Sequence, residues 1–457
     1  MSYASGYQQK NINLETDSEN AGAQTARIVV GNALAGDTVD DVDFLDTGNG
    51  AGVAAALASA GASVTPTDVY VKSGIYDVSL AGAPVLPMAI PEGLMLWGAG
   101  EGIGSGNGTI FRASGTQRAL FVAGDDVTLQ HIGIEVPAAT AGAVGTSVIF
   151  GGLRLNAQHL QFLFTGVGVN ADESLTAALR LQTQASLDDV VVTGLGYSTV
   201  AGTLACIAIN GPPGNNVICD GCFVTGLDNG YVMLNGNRAI FTGCRAGQHT
   251  TGAGFILLGN ANRLDTCYVR NSERGVVLSG NGDEMAVNDT TFSGITDACI
   301  DVLGGSDFPT LCDNLFSLSL IGIRLSTTDS PIIGPSQFSS VTTHYSITGA
   351  TNIQQVEPRS VSFGIRTTPT TANPGEILRY DASGGAFTLS APSASRIMTG
   401  SSFSIKEMAG DATAITVDGN GNFIQDPTTG ALAASVSVAA PFAATNWFFD
   451  GTNWLTY

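Results

Sequence analysis

The chain has 457 residues, and its 39 acidic and 18 basic side chains give a formal net charge of −21. Such an acidic surface excludes nucleic acid as an expected partner, because phosphate binding requires a basic surface. The chain contains no run of about 18 apolar residues, which argues against membrane insertion. Glycine occurs 59 times and long helical periodicities are absent, so the composition predicts an all-β fold with many turns.

The N-terminal residues 1–42 show no regular spacing of apolar side chains and no basic-then-apolar secretory pattern. We interpret them as an attachment segment that contacts other proteins of a larger assembly, and we expect synthesis in a cytoplasm. The following stretch, 43–78, contains a candidate for a short helix and then a strand ending in "VKSGIY".

Two motifs then repeat along the chain. Apolar pairs separated by one residue recur every 21 to 25 residues, and turns containing Gly or Asn follow the first five of them. The pairs are Ile207/Ile209, Val232/Leu234, Phe255/Leu257, Val276/Leu278, Ile300/Val302, Ile323/Leu325 and Tyr345/Ile347. A polar column runs beside them through Asp220, Thr242, Asp265, Asp289 and Asp313, with Gln130, Gln158 and Asp188 as weaker earlier members.

This period predicts a parallel β-helix over residues 43–358, in which each repeat forms one coil. A single coil cannot bury its apolar face, so the next coil must stack on it about 4.8 Å away. A leucine-rich repeat is disfavoured because its Leu/Asn framework is missing, and a β-sandwich would not keep such regular columns.

The entry to the repeats carries a resemblance to a known family. The helix candidate, the "VYVKSGIYDV" strand and the glycine-rich turn after "LMLWG" resemble the start of pectate-lyase-like β-helices in bacteriophage tailspikes. The resemblance implies that the helix caps the open first coil. It also implies a homotrimeric virion protein, tailspike or tail fibre, that binds a host surface polysaccharide.

The C-terminal residues 359–457 have a different pattern of separate short strands, including "SSFSIKEMAG" and "NWFFDGTNWLTY". This pattern predicts an antiparallel β-sandwich or jelly-roll domain. It resembles small β domains appended to phage fibre and virion proteins.

The seven cysteines, all between residues 206 and 312, are odd in number, which predicts reduced thiols. Cys219 and Cys222 have the spacing of a zinc-binding pair, but a strand would send residues three apart to opposite faces. The column of Cys222, Cys244 and Cys267 is apolar or small elsewhere, so we predict that it fills the interior. Its other members are Ile132, Leu160, Val190, Thr291 and Leu315. No metal or other cofactor is expected.

The recurring aspartates interrupt strict alternation, which indicates a bend between two sheets, with the side chain bonding the turn backbone. Carboxylates in adjacent coils would lie about 5 Å apart, as in retaining glycosidases, and those two coils apart would suit inverting ones. Stacking alone produces the same spacing, so a structural ladder is favoured. Acids in the turns are a second set, either projecting into a groove or solvated. The candidate catalytic residues are Asp265, Asp289, Glu273, Asp283 and Glu284.

Two ring patterns are also interpreted as structural. His131 and His159 fall one coil apart and are predicted to stack. Phe223, Tyr268, Phe292 and Phe316 are predicted to form a core column, and no sugar-stacking platform is evident in the sequence.

Three functions remain open from sequence. The first is a glycan-binding tailspike or tail fibre without chemistry, and the second is a polysaccharide hydrolase or lyase on the same scaffold. The third is a capsid decoration or scaffold protein of the virion.

Overall fold

The computed structural model describes residues 26–456 with internal gaps. The gaps are 64–66, 104–106, 113–118, 137–147, 166–176, 195–206, 211–214, 235, 250, 280–283, 306, 327, 349, 351–353, 356–359, 373–374, 394–396, 398–399, 409–413 and 439–443. Within this part of the chain, no helix is long and apolar enough to cross a membrane.

The first coils contain a 3₁₀ turn (Ala33–Ala35), one α-helix, α1 (Ala51–Ala62), and nine strands. The strands are β1 (Ala26–Asn32), β2 (Phe44–Asp46), β3 (Thr67–Val71), β4 (Gly74–Asp77), β5 (Met88–Ile90), β6 (Met95–Gly100), β7 (Thr109–Arg112), β8 (Phe121–Ala123) and β9 (Thr128–Val136).

The regular coils follow. Their strands are β10 (Ile149–Phe150), β11 (Asn156–Phe164), β12 (Ala177–Arg180), β13 (Ser186–Asp188), β14 (Val191–Gly194), β15 (Ile207–Asn210), β16 (Ile218–Asp220), β17 (Phe223–Thr225), β18 (Asn229–Met233), β19 (Ile240–Thr242), β20 (Arg245–Gly247), β21 (Ala253–Leu258), β22 (Arg263–Asp265), β23 (Tyr268–Arg270), β24 (Arg274–Ser279), β25 (Ala286–Asn288), β26 (Thr291–Ser293), β27 (Ala298–Val302), β28 (Thr310–Cys312), β29 (Asn314–Ser326), β30 (Ile332–Ile333), β31 (Ser336–Thr348) and β32 (Gln354–Gln355).

The last strands belong to the C-terminal part. They are β33 (Ser360–Arg366), β34 (Thr370–Thr371), β35 (Glu376–Tyr380), β36 (Thr388–Ser390), β37 (Ser402–Glu407), β38 (Ile415–Asp418), β39 (Phe423–Gln425), β40 (Leu432–Ala433), β41 (Ser435–Val438), β42 (Ala444–Phe449) and β43 (Asn453–Thr456).

Strands β1 to β32 form a parallel β-helix with three faces, which confirms the predicted fold. Face one contains β1, β3, β6, the first parts of β9 and β11, β13, β16, β19, β22, β25, β28, β30 and β32. Face two contains β4, β7, the second parts of β9 and β11, β14, β17, β20, β23, β26 and the first parts of β29 and β31. Face three contains β5, β8, β10, β12, β15, β18, β21, β24, β27 and the second parts of β29 and β31.

Each coil turns at corners where one residue adopts the left-handed conformation, with φ between 46° and 73°. Corner one, before face one, has Asp126, Arg154, Gln184, Asn216, Arg238, Ala261, Glu284, Phe308 and Ser330. Corner two, between faces one and two, has His131, His159, Asp189, Gly221, Gly243, Thr266, Asp289 and Asp313. Corner three, between faces two and three, has Gly226, Gln248, Asn271, Gly294, Leu318 and Ser340. One such residue redirects the strand, so the predicted bend beside the aspartates is confirmed.

The interior is a continuous stack of side chains from the three faces. On face three, Phe255, Val276, Ile300, Ile323 and Tyr345 lie in one column, as the repeat predicted. The two earlier apolar pairs were placed out of register. Tyr231 rather than Val232 pairs with Phe255, and Ile209 rather than Ile207 pairs with Tyr231.

Helix α1 packs Val53, Ala56, Leu57 and Ala60 against the first coils, as the predicted cap requires. Asp46 begins this cap. Its buried carboxylate accepts backbone hydrogen bonds at 2.7–3.3 Å, from the N–H groups of Gly48, Asn49, Gly50, Gly52 and Val53. A carboxylate at a helix N-terminus satisfies N–H groups that have no partner inside the helix and favours the helix dipole.

The parallel sheet begins inside the range 1–42, since β1 pairs with β3 from Ala26 onward. Residues 26–32 therefore belong to the first coil, and the remainder of the proposed attachment segment up to residue 25 lies outside the described residues.

The C-terminal strands have a separate core, built around Trp447, Trp454, Phe403 and Tyr380. They form a seven-stranded and a four-stranded sheet. The prediction of a purely antiparallel sandwich was wrong for the first strands, where β33, β35 and β37 pair in parallel, as do β34, β36 and β38. There the chain alternates between the two sheets, so that odd-numbered strands join one sheet and even-numbered strands the other. Successive strands within one sheet are therefore parallel. The later pairs β37–β42, β38–β41 and β42–β43 are antiparallel.

Two predicted side-chain columns were out of register by one residue. The column of Cys222, Cys244 and Cys267 continues to Thr290 and Asn314, not to Thr291 and Leu315, since β23 pairs Tyr268 with Thr291. All five side chains of the observed column are at most 2% exposed, so the interior interpretation is confirmed. The offset arises because Asp289 and Asp313 were aligned with Asp265, whereas they lie one residue later, in the left-handed position of corner two.

The same corner brings both Cys219 and Cys222 into the interior, because Gly221 between them is left-handed. The expectation that they point to opposite faces was therefore wrong. The predicted aromatic column also divides. Phe292 and Phe316 are fully buried and stacked at 5.3 Å, whereas Phe223 and Tyr268 lie in the neighbouring outward column with Arg245.

Candidate functional site

Asp265 lies at the outward end of face one, where its carboxylate is already paired. It forms an ion pair with Arg263 on the same strand and accepts a hydrogen bond of 3.4 Å from Asn288 Nδ2 in the next coil. These contacts are those of a structural ladder. The polar column continues through Gln130, Gln158, Asp188, Asp220 and Thr242, as the sequence indicated.

Asp289 and Asp313 do not belong to this column, because Asn288 and Cys312 occupy its positions in their coils. Asp265 pairs with Asn288, and Asp289 is the next residue, in the left-handed position of corner two. Asn and Asp follow each other at this point, and either would fit the repeat, so the pattern could not distinguish them. The two candidate carboxylates are consequently not equivalent members of one ladder.

Glu273 and Glu284 are separated by the whole of strand β24, which runs along face three. Glu273 is half-buried at the start of this face, with its backbone bonded to His249 and Asp297 in the adjacent coils. Glu284 is exposed at corner one. Asp283 lies outside the described residues.

Glu284 lines a polar groove along corner one. The groove has a volume of about 550 Å³, which is within the usual range for ligand sites. Its lining residues are Asn215, Asn216, Asn237, Arg238, Asn260, Ala261 and Glu284. Of the described candidate acids, Glu284 is the one that lines this groove.

Stacking of the coils builds this groove. The residue before each left-handed corner residue is Asn215, Asn237 and Asn260 in three successive coils. Asn215 Oδ1 accepts from Asn237 N–H at 3.2 Å, and Asn237 Oδ1 accepts from Asn260 N–H at 2.9 Å. These bonds hold the amides as rungs spaced about 4.8 Å apart, and we call this set the amide ladder.

The amide ladder leaves hydrogen-bonding groups available. The Nδ2 groups of Asn215 and Asn237, and the whole side-chain amide of Asn216, have no partner among the described residues. Amide groups donate and accept without carrying charge, so the groove can bind several hydroxyl or carbonyl groups of a ligand.

The groove contains one cation and one anion. Arg238 and Glu284 lie two coils apart, and within the described chain neither forms an ion pair. Beyond Glu284, the next coil contributes Asp307, whose backbone oxygen accepts from Glu284 N–H at 3.2 Å. The groove is therefore balanced in charge, and the next coil places the exposed Phe308 at the corner with Asp307 beside it.

A second group of polar side chains lies on the earlier coils. His131 and His159 stack at 4.9 Å with an interplanar angle of 8°, as predicted. His159 Nδ1 is 3.1 Å from Asp189, and the neighbouring His131 lowers the pKa of the Glu101 carboxyl. These groups satisfy one another, and none lines the groove.

Asp301 is a buried carboxylate on face three, outside the groove. Burial raises the pKa of Asp301, and the nearby guanidinium of Arg324, at 3.3 Å, opposes this shift. Arg274 approaches to 3.8 Å. Among the described residues, no group of three or more His, Cys, Asp or Glu side chains converges as a metal site.

Sequence reasoning missed the amide ladder, although a signal was present. The turns "GNNV", "NGNR" and "GNAN" repeat with the period of the coils, and we interpreted their asparagines as turn formers only. The stacking of these turns, not any single turn, makes the groove.

The comparisons with known proteins agree with the fold. No protein-family model matches the chain, and no curated protein matches it by sequence. A double mutant of the tailspike protein of E. coli bacteriophage HK620 has a TM-score of 0.50 and 9% identity, covering 86% of this chain and 88% of that chain. The same tailspike in complex with a pentasaccharide gives 0.48 at 9% identity and the same coverage.

The periplasmic alginate epimerase AlgG is similar at a TM-score of 0.41, with 9% identity over 64% of this chain and 79% of that chain. At 9% identity, the similarity to the tailspike double mutant shows a shared fold and does not identify acting residues.

Proposed function

We propose that the chain is a bacteriophage virion protein, of tailspike or tail-fibre type, that binds a surface glycan of the host cell in the groove of corner one. The observation that carries this proposal is the amide ladder, a row of neutral amides in which the Nδ2 groups of Asn215 and Asn237 have no partner among the described residues. The fold is shared with a tailspike whose structure was determined with a pentasaccharide, which supports the same class of ligand. The entry motif, with its capping helix, supports the same family.

Binding can be tested with purified surface polysaccharides of candidate hosts. Replacing Asn237 with Ala removes one rung and should lower the affinity about tenfold, the usual effect of one lost hydrogen bond of about 1.4 kcal/mol. Asn288→Ala is the matched control, since Asn288 lies on face one and bonds to Asp265 rather than to the groove. Calorimetry that finds equal affinities for both variants would contradict the proposed site.

The second candidate function is cleavage of the bound glycan. Glu284 lines the groove, and the next coil contributes a second acid, Asp307, one residue before its corner. Glycosidases act through a pair of carboxyl groups of this kind. If Glu284 takes part in cleavage, incubating the protein with the polysaccharide that it binds should produce new reducing ends. The Glu284→Gln variant should produce none. Measurable binding without new ends would restrict the protein to adhesion.

We further propose a homotrimer attached to the particle through the segment that precedes the first coil. Apolar side chains on the last coils are exposed, with Phe308 at 51%, Leu318 at 68% and Leu320 at 47%, and copies of the chain would bury them. Labelling of intact particles tests the location. Label on the tail supports a tailspike or fibre, whereas label on the head supports capsid decoration.

A further inference from the structure

We infer that the groove selects an uncharged glycan and discriminates against polyuronates and other polyanions. This inference deepens the proposed function and rests on it. It concerns the charge of the repeating unit, which neither the fold nor the sequence motifs specify.

The first argument is the kind of donor that the groove offers. The free groups of the amide ladder are neutral, and the one cation, Arg238, is matched by Glu284 two coils away. At about 4.8 Å for each coil the two charges are about 10 Å apart. A linear polyanion lying along the ladder would meet one guanidinium and one carboxylate, so its charges gain no net attraction.

The second argument is the state of the neighbouring cations. Arg263, on the face-one side of the groove, forms an ion pair with Asp265. Arg154, at corner one in an earlier coil, forms an ion pair with Asp126. These guanidinium groups are already neutralised. Polyuronate binding would require free cations at intervals along the path of the polymer, and the described part of the groove provides one.

The third argument is the negative electrostatic field around the groove. Asp220 lies on face one, and Asp307 and Asp329 each lie one residue before corner one in the two coils beyond Glu284. Charges within about 8 Å interact at physiological ionic strength, and the chain as a whole has a net charge of −21. A polyanion is therefore repelled before it reaches the amides, while an uncharged polymer is not.

A consequence concerns the chemistry open to a cleaving enzyme. Eliminative cleavage breaks the glycosidic bond after a base removes the proton beside a uronate carboxyl group, which leaves an unsaturated uronate. An uncharged glycan lacks that carboxyl group. If the bound polymer is cleaved, cleavage is by hydrolysis, in which water adds across the glycosidic bond and one reducing end forms for each bond broken.

The experiment uses the full chain and a panel of purified bacterial surface polysaccharides, both uncharged and uronate-containing, with alginate and polygalacturonate as polyanion probes. We expect retention of uncharged members only, with an affinity that changes less than about twofold between roughly 0.05 and 0.5 M NaCl. Asn237→Ala should weaken this binding about tenfold, and Glu284→Arg should permit weak, salt-sensitive binding of the polyanion probes.

Two other results are informative. Tightest binding to uronate polymers, falling steeply with salt and lost in Arg238→Gln, would overturn the charge preference while leaving glycan binding intact. Retention of no polysaccharide at any salt concentration would refute glycan binding itself, and the inference with it. The control Asn288→Ala should bind as the unmodified chain does in every arm.

Discussion

The acidic side chains on the outside of the β-helix differ in whether a neighbour already neutralises them. Asp265 is 20% exposed and paired with Arg263, whereas Glu284 faces the groove with no ion pair among the described residues. An available carboxylate can act on a ligand, while a paired one contributes mainly to the surface of its coil.

This difference predicts the effect of Asp265→Asn. The substitution removes a charge but keeps the shape and the contact with Asn288, so we expect a change of less than about 1 kcal/mol in the free energy of unfolding. Glycan affinity, and any cleavage, should remain nearly unchanged. Urea denaturation and calorimetry measure the two quantities, and a loss of activity by orders of magnitude would show that Asp265 takes part in chemistry.

His249 provides a second test at the scale of a residue. It is fully buried, and its Nδ1–H donates to the Leu227 carbonyl at 2.7 Å. Burial lowers the pKa of His249 from 6.5 to about 4. The unfolded chain therefore binds the proton more readily, so the contribution of His249 to stability is present above pH 6.5 and is lost as the pH falls toward 4.

We expect the chain to lose about 2 kcal/mol of unfolding free energy through His249 between pH 7.5 and pH 5. His249→Asn keeps a donor for the Leu227 carbonyl but does not titrate. Urea midpoints of both proteins at the two pH values isolate the effect, because the other titrating groups are common to them. Parallel losses in both proteins would show that His249 is not the source.

At the scale of the element, the corners decide which side chains enter the core. Gly221 and Thr266 occupy the same left-handed position in different coils, so the position itself does not require glycine. A side chain there projects outward, and nothing lies within 4 Å of a Cβ built on Gly221.

Gly226 at corner three has the same backbone conformation but no space, because a Cβ there would be 2.0 Å from the Gly194 carbonyl oxygen. Gly221→Asn should therefore cost less than about 1 kcal/mol, since Asn tolerates the left-handed region. Gly226→Asn should cost about 3 kcal/mol or more through the clash. Thermal unfolding of the two variants tests the comparison, and equal losses would mean that backbone conformation alone sets the cost.

The corners also explain how far the sequence could predict this fold. Coil length and apolar columns follow from the repeat, because every coil must bury the same face. The repeat does not show which residue of "DT" at Asp265 or of "ND" at Asn288 adopts the left-handed conformation. The predicted side-chain columns were therefore wrong by one residue. The amide ladder was missed for a related reason, since Asn215 and Asn237 become a site only when their coils stack.

The C-terminal strands show a similar limit. The alternation of apolar and polar residues in strands such as β35 and β37 correctly predicted a sandwich. Their parallel pairing, however, depends on which sheet each strand joins. Short strands of this kind carry the same alternation in parallel and antiparallel sheets. Pairing therefore had to come from the three-dimensional structure.

At the scale of the whole molecule, the exposed apolar residues of the last coils predict how copies associate. Leu318 is 68% exposed in a left-handed position, where a leucine is strained by about 1–2 kcal/mol. Leu320 is 47% exposed on the same coil. Burial of these side chains between three chains would offset the strain by removing apolar surface from water.

We therefore expect the protein to sediment as a trimer, and the double substitution Leu318→Lys and Leu320→Lys to shift it toward the monomer. Lysines in this interface would place like charges close together in a desolvated contact. Val85→Lys is the matched control, since Val85 is 92% exposed on the first coils and lies far from the last ones along the coil axis. Analytical ultracentrifugation distinguishes the outcomes, and a trimer that persists in the double variant would place the contact between chains elsewhere.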